Sequence, residues 1–224
     1  MGCCGRYWII DAVMLLWILR YVEFNNRKIR EIKMNELWWV FIIEGLVITI
    51  LGSVLHFTYE WTGQNKFVAY FAAVNESTWE HIKLALSSIF FCTLFDVWFL
   101  GSNPNYWFAK SISFLVPIVV IPVLFYGYRA ILKVKSCLPI DITIFCIGAF
   151  ASSGVFALLL AAEPLGEGGE TTSMIVMVVV LVFYLLLTKF PAHNFLFKDP
   201  VTGKYGIEAS KKRKASRRSS KTRK

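Results

Sequence analysis

Residues 140–162 read IDITIFCIGAFASSGVFALLLAA, and residues 174–187 read MIVMVVVLVFYLLL. The first run carries one charge, Asp141, at its edge; the second carries none. A helix crossing the hydrocarbon layer needs roughly 20 apolar residues at about 1.5 Å of rise each. Runs of this length and purity exclude a soluble globular core. Composition agrees: 56% of the chain is hydrophobic and only 17% is charged, where soluble domains carry about 25% charged residues. The charge is also uneven, with residues 211–224 holding little else.

Working outward from these runs, further spans are expected over residues 37–61, 77–101 and 107–128, with the last two over 140–162 and 174–190. Pro117 and Pro122 should kink the third. Trp38, Trp39, Trp61, Trp98 and Trp107 fall at span ends, as an interfacial aromatic belt requires. The fold class is therefore all-α, a polytopic helical membrane bundle of five core transmembrane helices. Residues 7–19 are a candidate sixth, short and interrupted by Asp11; without a small-residue cleavage site they do not read as a signal peptide. Three regions result: 1–36, a hydrophobic segment and a mixed-charge loop; 37–207, the transmembrane core; and 208–224, a basic tail expected to be disordered.

Lys and Arg orient the chain. The 129–139 loop and everything after Phe190 share one side, and the tail makes that side cytoplasmic. A sixth span would put the N-terminus there too, where Cys3 and Cys4 are candidates for palmitoylation; Arg6 stands where myristoylation wants Ser or Thr. Cys92, Cys137 and Cys146 show no disulfide or zinc spacing. The expected partners are membrane lipids, with anionic headgroups meeting the tail at roughly 1 kcal/mol per base. Ser216 and Ser220 are candidate phosphorylation sites that would weaken this contact. Nucleic acid is not an expected partner of a run tethered to a membrane.

The three histidines, His56, His81 and His193, fall at the same membrane face. Glu60, Asn75, Glu76, Ser77 and Glu80 join them. Ionisable groups at membrane depth are costly to keep, so they mark a functional site by default. Helical spacing puts Gly45, Thr49, Gly52, Ser53, His56 and Glu60 on one stripe, and Ser77, His81, Ala85, Ser88, Cys92 and Asp96 on another. Two small, polar stripes on consecutive antiparallel helices are expected to face each other. Neutral imidazoles suit zinc or iron, making His56, His81 and His193 candidate metal ligands and a divalent metal the candidate cofactor. No HExxH or CxxC spacing is present. A purely structural account competes: Ser77 and Glu80 form a capping box, Asn75 caps the preceding turn, and Glu76 or Glu80 pairs with Lys83 on the helix surface. Asn75-Glu76-Ser77 is a glycosylation sequon only formally, because it begins a membrane helix on the cytoplasmic side.

Three stretches carry a resemblance: LGSVLHFTYEW (51–61), VNESTWEHIK (74–83) and FKDPVTGKYGI (197–207). In order and spacing they resemble an uncharacterised multi-pass membrane family of bacteria and archaea, a domain of unknown function, over about residues 37–207. That resemblance implies an integral membrane protein with its functional face at these motifs, and supplies no activity. The family tends to read F-P-P before its last motif, where this chain has Phe190-Pro191-Ala192-His193. A more distant analogy joins three histidines at one face to the alkaline ceramidases and adiponectin receptors, although this chain lacks their H-x-x-x-H pair. Three functions follow as expectations: a polar site binding a metal, lipid headgroup or small solute; a metal-dependent lipid hydrolase in the membrane; or a transporter or channel using Asp11, Glu44 and Asp96. No residue is assigned a catalytic role.

Overall fold

A computed structural model of the protein describes residues 34–134, 137–165 and 168–210. Its long helices are α1 (Met34–Trp61), α2 (Thr78–Leu100), α3 (Tyr106–Leu132), α4 (Leu138–Leu160) and α5 (Gly169–Lys189), with a 3-10 turn at Val68–Tyr70. All five are long and apolar enough to cross a bilayer, the architecture of a multi-pass integral membrane protein. Hydrocarbon offers backbone groups no partner, so each span must satisfy its own amides as a helix. Residues 7–19, Cys3, Cys4, Asp11, Ser216 and Ser220 fall outside the described residues.

Short connections make the helices alternate between two ends. The histidine end holds the α1–α2 and α3–α4 connections and everything after α5. The opposite end holds the other two, fastened by Asn103 Nδ2 donating to Leu160 O (3.1 Å) and Asn105 Nδ2 to Ala162 O (2.7 Å). The core centres on α2, the most deeply buried of the five long helices, while α5 is the least buried. Small residues on α2 (Ala85, Ser87, Ser88) allow this close approach. Their hydroxyls are satisfied without water: Ser88 Oγ donates to Leu84 O at 2.8 Å, and Ser87 Oγ bonds the Tyr184 hydroxyl of α5 at 2.8 Å.

The expected pairing of the small stripes needs correction. A Cβ at Gly45 or Gly52 would run into the rings of Phe150 or Phe145, so α1 presents its glycines to α4 rather than α2. Spacing fixes which residues share a face; the aromatics that need the room decide the neighbour. Helix α3 continues through Pro117 and Pro122. Ser113 O, the carbonyl that Pro117 leaves without its usual N–H, instead accepts Ser152 Oγ of α4 at 2.8 Å.

Candidate functional site

At the histidine end, the two later motifs are bound to each other. Asn75 Nδ2 donates to Gly206 O at 3.1 Å, and its Oδ1 accepts the Ser77 amide at 2.8 Å. The Glu76 amide donates to Asp199 Oδ1 at 3.3 Å. Asp199 is 1% exposed, and its other oxygen accepts the Thr202 amide (2.9 Å) and hydroxyl (2.5 Å). Trp79 stacks on Phe197 with centroids 4.7 Å apart, while its amide donates to Leu196 O at 3.0 Å. Gly203 and Gly206 both adopt positive φ, at +68° and +51°, so the turn returns sharply enough to present Asp199.

The expected capping box does not form. Ser77 is the N-cap residue of α2 but makes no side-chain cap bond. Glu80 reaches past it: its Oε2 accepts the Val74 amide at 2.9 Å and pairs with Lys83 Nζ at 2.5 Å. That pair was expected on a helix surface. Lys83 is instead wholly buried, and its Nζ also donates to Ala69 O at 2.9 Å. With the 3-10 turn folded over it, this lysine ties the α1–α2 connection to α2.

Beside this clamp, His56 of α1 meets Glu76 and His81 across the α1–α2 junction. One ligand-type atom from each of the three lies within 4.8 Å of the other two. His56 Nε2 is 3.6 Å from Glu76 Oε2, and the two imidazole centroids are 5.8 Å apart. His81 Nδ1 lies 3.0 Å from Ser77 O; with the proton on Nδ1 this bond fixes the ring and leaves Nε2 with its lone pair free for a ligand. Among the described residues, His56 Nδ1 is buried with no hydrogen-bond partner. Glu60 is exposed and shares a small recess of about 120 Å³ with His56 and Glu76. His193 does not join the set: it is exposed and stacks on Tyr205 at 4.5 Å, because the turn after α5 carries it to the other side of the clamp.

His193 lines a larger cavity of about 680 Å³. Lys66, Lys189 and Lys204 converge there from three separate segments, with Glu208 and the Lys83 region completing the wall. Val74 lines both this cavity and the recess beside His56. The cationic cavity and the imidazole cluster therefore lie on two sides of the same short segment.

Toward the opposite end, sequence reasoning singled out Glu44 and Asp96 but missed the lysine that joins them in a second polar centre. Lys110 Nζ of α3 lies 2.5 Å from Glu44 Oε1 and 2.5 Å from Asp96 Oδ2, and 3.7 Å from the Phe156 ring centroid. Tyr106 donates its hydroxyl to Asp96 Oδ1 at 2.5 Å. A lone lysine inside the run beginning at Tyr106 was the available signal, since such a charge needs a counter-charge in the bilayer. Two of the three acids expected to line a transport path, Glu44 and Asp96, are thus paired off in a packed interface.

Fold and site together define a polytopic helical membrane protein with one polar cluster at an end of the bundle and another within it. The chain belongs to a family of unknown function (DUF6512), whose model matches residues 27–207. Comparison with curated proteins and with solved structures finds no match.

Proposed function

We propose that the protein binds a divalent transition metal through His56, Glu76 and His81, on the cytoplasmic side of its membrane. The observation that carries this reading is the convergence of the three ligand atoms within 4.8 Å. A tetrahedral ion with bonds of about 2.1 Å sets its ligand atoms about 3.4 Å apart. The 3.6 Å between His56 Nε2 and Glu76 Oε2 is already close to that edge. Two imidazoles and one carboxylate suit zinc or iron, and such a set leaves a fourth position open, as catalytic rather than structural sites do. The asparagine and aspartate of the clamp hold the Glu76 backbone in place, the supporting shell such a centre requires.

A second reading deepens the first. The cationic cavity sharing Val74 suits a phosphate- or carboxylate-bearing molecule, so the centre would serve a metal-dependent hydrolase acting on an anionic lipid. The basic tail belongs to the same picture, drawing this end toward anionic headgroups.

The test is elemental analysis of the purified full-length protein, stripped with chelator and reloaded with zinc or iron. About one ion per chain is expected for the wild type and for His193→Ala, with loss in His56→Ala, His81→Ala and Glu76→Gln. A folded wild type that takes up no stoichiometric ion, or retention in all three cluster variants, would defeat the proposal.

A further inference from the structure

The cavity of about 680 Å³ at the histidine end carries an unbalanced charge. Lys66 reaches it from the α1–α2 connection, Lys189 from the last residue of α5, and Lys204 from the turn after Asp199. Among the described residues, none of these three ammonium groups is paired with a carboxylate. Lys83 also lines the cavity, but Glu80 already balances it at 2.5 Å. Glu208 is the one acid in the lining among the described residues, so two positive charges are left over. Cationic groups gathered around a concavity focus the field and draw anions into it.

Position and size narrow the occupant. Lys189 closes the span of α5 and Lys66 lies beyond the end of α1, so the cavity sits where bilayer meets water. Its volume is that of a small-molecule site rather than of a bare ion. His193, stacked on Tyr205 at 4.5 Å, adds an imidazole donor, while Ala69, Pro191 and Ile207 give apolar surface. A carboxylate would cancel one of the two surplus charges and offer two oxygens. A phosphomonoester carries about −1.5 to −2 at neutral pH and offers three terminal oxygens, one for each lysine.

We propose that this cavity is a binding site for a phosphomonoester, its terminal oxygens shared among Lys66, Lys189 and Lys204. This rests on the anionic-ligand reading given under the proposed function and gives that ligand a chemical class, but it needs no metal. The phosphate belongs either to a lipid headgroup or to a soluble ester, both of which reach the membrane surface.

The test uses full-length protein stripped of metal with chelator. Native mass spectrometry in detergent follows binding of phosphatidic acid, a lipid phosphomonoester, and of phosphatidylglycerol, an anionic phosphodiester. Calorimetry follows glycerol 3-phosphate, the soluble counterpart. Saturable binding of one phosphomonoester per chain is expected, with affinity falling about tenfold in Lys66→Gln or Lys204→Gln. Both lysines are exposed, so neither change should disturb folding. Lys198→Gln removes the same charge from an exposed residue outside the cavity and should leave binding intact. Binding of phosphatidic acid alone identifies a lipid source, and binding of glycerol 3-phosphate a soluble one. Absence of saturable binding by both esters would overturn the proposal. So would equal binding of phosphatidylglycerol, or an equal loss in Lys198→Gln. None of these results changes the metal content expected of His56, Glu76 and His81, so the two sites fail separately.

Discussion

At one end of the bundle His56, Glu76 and His81 meet at an edge where His56 and Glu76 each keep 29% of the side chain exposed. Toward the other end Lys110 is fully buried between Glu44 and Asp96. Both clusters join residues from separate segments, yet they differ in what holds them. The buried centre is locked by charge: with no water to substitute for a lost partner, each member depends on the others. The histidine cluster is held by its surroundings, since Asn75, Asp199 and Ser77 fix the backbone and one ring nitrogen. Members of the first cluster should therefore matter most to folding, and members of the second to binding.

The largest break in that contrast should come from Lys110→Met. It strands the buried Glu44 carboxylate and the part-buried Asp96 carboxylate and should cost about 3–5 kcal/mol, read as loss of folded protein or a steep fall in thermal midpoint in detergent. Lys83→Met leaves Glu80 buried beside one amide donor and should cost nearly as much, about 3 kcal/mol. The double variant Lys83→Met/Glu80→Gln should recover a good part of that, so a thermal double-mutant cycle would show strong coupling. Next in size, Gly52→Ala pushes a methyl into the Phe145 ring of α4 and should cost about 1–3 kcal/mol; the same change at Gly127, where a Cβ meets nothing within 4 Å, should be harmless. Among the residues of the two clusters, the smallest effect on stability should come from His81→Ala, within about 1 kcal/mol. An unfolding penalty for His81→Ala as large as that for Lys110→Met would erase the distinction between the two ends.

The spans were legible because hydrocarbon imposes a length and an apolar composition that few other folds need. The positions of His56, Glu76 and His81 near one another were legible too, since short connections and alternation force the end of α1 beside the start of α2. Three things were not. Gly45 and Gly52 could be placed on a face of α1, but the preference of that face for Phe145 and Phe150 depends on how α4 packs, which no local spacing encodes. Ser77 and Glu80 carry the spacing of a capping box, yet the buried Lys83 ammonium attracts Glu80 more strongly than a helix amide does. His193 follows α5 at the right membrane face, but lateral position within a face is set by the turn that presents Asp199. Lys110 was readable from its solitude in an apolar run and shows that every intramembrane charge should be matched to a counter-charge.

The claim that His56, Glu76 and His81 form a metal centre is tested most directly by X-ray absorption spectroscopy on the full-length protein loaded with zinc. The account predicts a first shell of nitrogen and oxygen only, near 2.0–2.1 Å, with outer-shell scattering from two imidazoles that falls to one in His81→Ala. A shell containing sulfur, or a spectrum unchanged by His81→Ala and altered by His193→Ala, would contradict it.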